Sequence, residues 1–142
     1  MPKRVSKSRK PKLDSEVKEK LKSVGIEMTP ETRSATFLLI DQDVKTISSF
    51  YKGVEILSIK DALEKYEWLQ DYFWRAVSKD QDEYTSEVEA DYNGYFIRAL
   101  PNAKIEFPVE ACLYLRSPKK QTVHNLIIAE ENSELNVISG CT

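Results

Sequence analysis

Three side chains in the 142-residue chain are of the types that bind metals: Cys112, Cys141 and the single histidine, His124. Thiolates and imidazoles are the ligands that soft and borderline transition metals prefer, so these residues are the candidate metal ligands. The cysteines lie 29 positions apart and form no CxxC pair, unlike the closely spaced ligands of a structural zinc site. The alternative for the cysteines is packing in the core, where this residue type is common, and for His124 a structural or surface role.

Enzymatic motifs are missing from the sequence. It has no glycine-rich phosphate loop, no GxSxG, no HExxH and no Cys–His pair at motif spacing. The acidic pairs Asp41/Asp43 and Glu130/Glu131 fall in expected turns, where solvated charge is the ordinary explanation. The sequence therefore favours a protein that is not an enzyme.

The segment 68–77 is the most aromatic part of the chain. Its spacing predicts a helix, one face of which carries Leu69, Tyr72, Phe73 and Ala76. A stripe of this kind is typical of a core helix. The alternative is a surface that docks a partner, since clustered aromatic residues are also common at interfaces. The candidate partner-binding residues are Trp68, Tyr72 and Trp74.

Charge is distributed unevenly along the chain. Residues 1–12 hold six basic and no acidic side chains, and the remainder carries 15 basic and 23 acidic ones, a net charge of −8. Because the first residues have few apolar side chains, residues 1–13 are expected to be a disordered basic leader. Binding to nucleic acid is the less favoured alternative, because no aromatic residues for base stacking are interleaved with the basic ones.

Elements that could position these residues begin with a helix from Ser15 to Val24, capped by Asp14 or Ser15 and ended by Gly25. Short strands follow at 36–40, 44–50 and 54–58, with a hairpin turn expected at 51–53. Two further helices are predicted. Ser58 is the expected cap of the first, and the second covers residues 82–88. Residues 14–92 are therefore predicted to form a mixed α/β N-terminal domain.

After Asn93 the pattern is that of strands alone. They are predicted at 95–100, 104–107, 109–116, 123–129 and 135–138. In the longest, one face carries Val109, Ala111, Leu113 and Leu115, and the other carries Glu110, Cys112, Tyr114 and Arg116. Regular short strands without intervening helices fit the first rungs of a β-solenoid. The expected fold is thus α+β, with residues 93–142 starting a solenoid that is truncated, because a final strand without a cap leaves an unpaired edge.

No apolar run approaches the roughly 18–20 residues needed to span a bilayer, and no apolar segment follows the basic start as in a secretory signal. These features predict a cytoplasmic protein with no membrane partner. Its two cysteines are expected to be reduced thiols.

Two blocks of sequence carry a resemblance to a known family. The first is Tyr66–Asp80 with Asp82–Thr85 beyond it. The second is an ordered series of motifs: NGYFIR (93–98), PVEACLYL (108–115), VHN (123–125), AEENSEL (129–135) and ISGCT (138–142). Over residues 35–142 the chain resembles the SufB/SufD family of iron–sulfur cluster assembly scaffold proteins, as an N-terminal fragment.

The resemblance implies an N-terminal mixed region that leads into a right-handed parallel β-helix and then a helical C-terminal domain. It implies a scaffold of the SUF system, with a SufB/SufD-type partner subunit and a SufC-type ATPase bound by the parent protein. The iron–sulfur cluster is expected in the parent assembly, and no cofactor is expected in this part. The alternative is a β-rich protein-interaction module that is not an enzyme, and homo-oligomers through the exposed β-edge are a further expectation.

Overall fold

The computed structural model describes residues 4–9, 15–27, 29–90, 92–117 and 120–142. Its strands are β1 (Arg4–Arg9), β2 (Ala35–Ile40), β3 (Asp43–Tyr51), β4 (Val54–Ser58), β5 (Tyr95–Ala99), β6 (Val109–Tyr114), β7 (Leu126–Ala129) and β8 (Val137–Cys141). Its helices are α1 (Ser15–Ser23), α2 (Ile59–Lys65) and α3 (Glu83–Ala90), and a 3₁₀ helix covers Glu67–Asp71. The expected α+β class is confirmed.

The larger sheet has the strand order β1-β3-β2-β6-β8, in which β2, β6 and β8 are parallel and β1 and β3 are antiparallel to their neighbours. Every residue of β2 and β6 is buried, as expected for strands covered on both faces. In β6, Val109, Ala111 and Leu113 face the main core, and Cys112 and Tyr114 face a second cluster on the other side. The predicted alternation along this strand is therefore confirmed.

The smaller sheet has the order β4-β5-β7, and its inner face closes the main core against the larger sheet. The rings of Phe37 and Tyr95 meet edge to face across this core, with centroids 5.5 Å apart. Both sheets combine strands from either side of the expected domain boundary at 92/93. Residues 14–92 and 93–142 consequently share one core.

Helix α1 covers the second face of the larger sheet. Val17 and Leu21 pack with Ile26 over the β2 and β6 side chains of that face. Gly25, two residues after the end of the helix, has a φ of 82° that suits glycine, and the amides of Gly25 and Ile26 donate to the carbonyls of Lys22 and Leu21. This Schellman ending turns Ile26 back onto the cluster.

Helix α2 lies on the outer face of the smaller sheet and confirms the predicted cap. The amide of Asp61 donates to Ser58 Oγ at 3.2 Å. Ile59, Ala62 and the 3₁₀ residue Leu69 pack there against Phe96 of β5.

Three predicted elements are wrong. The strand at 104–107 is absent, and only Lys104 forms an isolated bridge there, with Glu134. The helix over 68–77 is replaced by the short 3₁₀ helix and a series of turns, because Trp74 adopts a φ of 64°, outside the right-handed helical region. The hairpin at 51–53 is a corner between sheets, since β3 already lies between β1 and β2 and β4 pairs with β5.

The expected disordered leader is also corrected in part. Residues 4–9 form β1 and pair antiparallel with β3, although a bulge interrupts the register between Arg4 and Lys7. Backbone hydrogen bonds to a free strand edge supply an order that the side-chain composition does not suggest. The rest of the predicted leader, residues 1–3 and 10–13, lies outside the described residues.

Residues 93–141 make two successive passes that stack in parallel. Asn93, Phe96 and Lys104 pair with the residues 30 positions later, namely Val123, Leu126 and Glu134. At Val109 the offset to its partner, Val137, is 28. At one corner Asn132 Nδ2 donates to Asn102 Oδ1 at 3.0 Å, and both residues have positive φ, 57° and 64°. Equivalent corners of the two passes thus lie on one another.

Candidate functional site

Cys112 lies in the interior, beneath α1. It is 0% exposed and packs with Val17, Leu21 and Leu38. Burial, the nearby Glu110 carboxylate and Cys141 raise the pKa of its thiol to about 12. The thiolate, which is the nucleophile and the metal ligand, is therefore strongly disfavoured at this position.

Glu110, two residues before Cys112 on the same face of β6, forms a buried ion pair that sequence reasoning missed. Its Oε2 accepts hydrogen bonds from Arg33 Nε at 2.8 Å and from the amide of Glu27 at 3.2 Å. Its Oε1 is buried without a partner among the described residues. The sequence did contain a signal for this pair, since Glu110 is a charged residue in the middle of an apolar strand. Buried charges are normally paired, so such a residue indicates a partner of opposite charge.

Cys141, at the end of β8, is exposed. It aligns with Leu113, while Cys112 aligns with Gly140. Because side chains alternate between the faces of a strand, this one-residue difference directs the two thiols to opposite faces of the sheet. Cys141 lines a cavity of about 730 Å³ with residues of α3 and of the 120–123 segment.

His124 lies in an aromatic environment at the beginning of the second pass. Its ring stacks on Phe73 at 4.1 Å and meets Trp74 edge-on at 4.3 Å between centroids. Nδ1 is buried and has no hydrogen-bond partner among the residues that the structure describes, and burial lowers the pKa of the imidazole, which favours the neutral form. A Cβ on Gly94 would clash with the His124 carbonyl oxygen, so this close approach requires glycine.

The three candidate ligands are not brought together. Cys112 is sealed under α1, Cys141 opens onto the opposite face, and the half-buried His124 lies against the rings of Phe73 and Trp74. Within the described ranges, no group of three or more His, Cys, Asp or Glu side chains is placed to hold a metal ion. Of the two thiols, that of Cys141 is the exposed one.

The candidate partner-binding residues separate into two groups. Trp68 and Tyr72 are 37% and 49% exposed and meet edge to face at 5.9 Å. Trp74 turns inward against His124, and Tyr72 and Trp74 line a common cavity. The Arg98 guanidinium lies 5.3 Å from the centroid of the Trp68 ring. The aromatic segment is thus partly a surface feature and partly interior, since Leu69 is buried and Phe73 packs on the same cluster.

In the part of the chain that the structure describes, no helix is long and apolar enough to cross a bilayer. No protein-family model matches the chain.

Comparison with curated proteins identifies close relatives. The chain is 62% identical over 126 residues to an iron–sulfur cluster assembly SufBD family protein of Archaeoglobus fulgidus. It is 41% identical over 140 residues to a protein of the same description from Methanothermobacter thermautotrophicus strain Delta H, and 28% identical over 139 residues to one from Pyrococcus horikoshii. These matches cover 88%, 94% and 92% of this chain. They cover 34%, 34% and 31% of the relatives.

The expectation from the sequence motifs is confirmed by these identities. The chain belongs to the SufB/SufD family of iron–sulfur cluster assembly proteins and spans about a third of the length of the curated relatives it matches.

Proposed function

We propose that this chain is part of a cytoplasmic iron–sulfur cluster assembly scaffold and is not an enzyme. In this role the cluster is cargo that the whole protein builds and passes on. Residues 93–142 would supply the first turns of a right-handed parallel β-helix, and residues 14–92 would cover its beginning.

The observation that carries this proposal is the repeated parallel pairing of two passes at offsets of 30 and 28 residues. A solenoid buries its apolar side only when successive turns stack in this manner. The stacked Asn102 and Asn132 corner and the paired strands in both sheets support the same architecture. The family membership supplies the activity that the architecture would serve.

The thiols divide between two roles in this proposal. Cys141 is the residue of this chain that could contact iron or sulfide, since it is exposed beside a cavity. Cys112 and His124 would be packing residues, because burial disfavours the thiolate of the first and the imidazole of the second packs on the rings of Phe73 and Trp74. Remaining ligands would come from another part of the full-length scaffold or from its partner.

The partners of the whole protein are likewise proposals. A SufB/SufD-type subunit would pair with the scaffold, and a SufC-type ATPase would bind the complete chain. In this chain β8 lies at one edge of the larger sheet and β7 lies at one edge of the smaller sheet. Strand edges present unpaired backbone groups, so a second copy could also add there.

A chimera tests the proposal. The chain would replace the 126 matching residues of the Archaeoglobus fulgidus relative, and the product would be reconstituted anaerobically with iron and sulfide. We expect charge-transfer absorption from a cluster and transfer of that cluster to an apo-ferredoxin. If the unmodified relative forms a cluster and the folded chimera does not, this chain does not perform the scaffold role. If the unmodified relative forms none, the scaffold function itself fails.

A protein-interaction module is the second candidate function. The exposed pair of Trp68 and Tyr72 favours it, since large aromatic side chains are common at binding hot spots.

A further inference from the structure

A cavity of about 390 Å³ lies between the turns after Tyr72, helix α3 and the beginning of the second pass. Three aromatic residues, Tyr72, Trp74 and Tyr84, line it together with the carboxylate residue Asp82. Aromatic faces carry negative electrostatic potential and attract cations. This combination is suited to a positively charged group.

The walls of the cavity are held in place by specific local geometry. Trp74 has a φ of 64°, a conformation that is strained for a bulky residue and is typically retained where the surroundings fix it. Its indole is packed edge-on against His124, whose other aromatic neighbour is the stacked Phe73. The cavity therefore has one rigid aromatic side.

Asp82 is fixed on the other side. Its Oδ1 accepts a hydrogen bond from the Thr85 amide at 2.9 Å, and its own amide donates to Thr85 Oγ1 at 3.1 Å. These reciprocal bonds form the beginning of α3, so the carboxylate is held at the cavity wall. Asn can make the same cap without the charge, which provides a conservative variant.

The surrounding charge is negative. Residues 67–90 contain seven acidic and two basic side chains, a net charge of −5. Arg75 is the one basic residue among the described lining residues; it and Asp82 are both exposed, so water screens both charges, and the excess of acidic residues in the segment sets the sign. His124 adds no opposing charge, because burial lowers its pKa and favours the neutral imidazole.

We propose that this cavity accepts a lysine or arginine side chain from a basic segment of a partner protein. Tyr72 and Val77 are exposed at the cavity wall, and the exposed Trp68, whose ring meets that of Tyr72, continues the apolar surface and would contact the neighbouring residues of such a segment. This interaction surface is additional to the cluster-assembly role. Its test needs neither iron nor sulfide, so its outcome is independent of that role.

Intrinsic fluorescence gives a local readout. The chain has two tryptophans, so Trp68→Phe leaves Trp74 as the only one. This variant would be titrated with a short lysine-rich peptide without aromatic residues and with the same peptide carrying glutamine in place of lysine. We expect the lysine peptide to change Trp74 emission saturably, with weaker binding at higher salt, and the glutamine peptide to have little effect.

Matched variants locate the binding. Asp82→Asn removes a charge from the cavity and keeps the helix cap, while Asp80→Asn removes a charge from the same segment outside the cavity lining. We expect Asp82→Asn and Tyr84→Ala each to weaken binding of the lysine peptide by about fivefold, and Asp80→Asn by less than about twofold. Circular dichroism checks that each variant remains folded.

Several outcomes would overturn the proposal. Equal losses from Asp82→Asn and Asp80→Asn would mean diffuse attraction and no site. Binding of acetyl-lysine amide as tight as that of the peptide would mean a small-molecule site. Self-association that disappears when the basic residues 1–12 are replaced by glutamine or serine would identify a second copy as the occupant.

Discussion

The ion pair between Arg33 and Glu110 provides the sharpest test of how the larger sheet is stabilised. The Glu110 side chain is 1% exposed and that of Arg33 is 11% exposed, so neither charge is well solvated. We predict that Arg33→Met strongly destabilises the fold. It leaves the carboxylate with one backbone donor, the Glu27 amide at 3.2 Å, while Oε1 already has no described partner.

The expected magnitude follows from the burial. Removing one partner of a buried pair costs about 3–5 kcal/mol, and the slight exposure of Arg33 places the value near the lower end, at about 3 kcal/mol. For a domain of this size that corresponds to a fall in Tm of about 10 °C. The double variant Arg33→Met/Glu110→Leu removes both charges and should lie within about 2 kcal/mol of the original chain, because an apolar pair can replace a buried ion pair.

Urea denaturation followed by circular dichroism measures these differences, provided that the m-value stays constant. Lys120→Met is the matched control, because it breaks an ion pair with Glu87 whose side chains are 79% and 49% exposed. Its cost should be below about 1 kcal/mol. The reasoning is refuted if Arg33→Met costs no more than this control, or if the double variant is less stable than Arg33→Met alone.

Three further predictions concern the thiols, the glycines and the histidine. With a thiol reagent at about pH 8, Cys141→Ser should abolish rapid modification of the chain and Cys112→Ser should leave it unchanged. The reason is that a pKa of about 12 leaves roughly one Cys112 thiol in ten thousand ionised. Rapid labelling of the Cys141→Ser variant would contradict the burial of Cys112. Gly94→Ala should destabilise the chain by about 3 kcal/mol or more, because its Cβ would meet the His124 carbonyl. Gly25→Ala should cost about 1 kcal/mol, because Gly25 has a φ of 82° but open space around it. Equal costs for the two variants in urea denaturation would exclude the close approach at Gly94. Because the pKa of His124 is lowered in the folded state, the stability due to its neutral imidazole is present above about pH 6.5 and is lost as the pH falls through the folded-state pKa. The variant His124→Phe should therefore flatten this part of the curve of unfolding free energy against pH. An unchanged pH dependence would show that the imidazole is solvated.

Local sequence patterns predicted much of the fold. Ser58 indicated the start of α2, because a hydroxyl cap acts within three residues of the chain. The alternation of side-chain types in 109–114 indicated the two faces of β6, because side-chain direction in a strand has a period of two residues. Gly25 likewise indicated the end of α1, since glycine readily adopts positive φ.

The candidate site was less predictable, because it depends on pairing between distant residues. Placing the two thiols on opposite faces requires the register of β6 against β8, which spacing alone does not define. The aromatic segment had helical spacing, yet the contact of Trp74 with His124, fifty positions later, accompanies a different backbone conformation. The partner of Glu110 was equally remote, since Arg33 lies 77 positions earlier.

The change of offset from 30 to 28 residues identifies a position where the chain tolerates a difference in length. Between the pairs Lys104–Glu134 and Val109–Val137, the first pass contains two more residues than the second, yet strands pair in register on both sides. Longer excursions at such a corner leave the ladders intact, whereas an added residue inside a strand would invert its faces. In this corner Ile105 is buried in the main core and the Pro108 carbonyl accepts a hydrogen bond from the Ser34 amide, so the place to graft an affinity tag or a short epitope is beside the exposed Glu106.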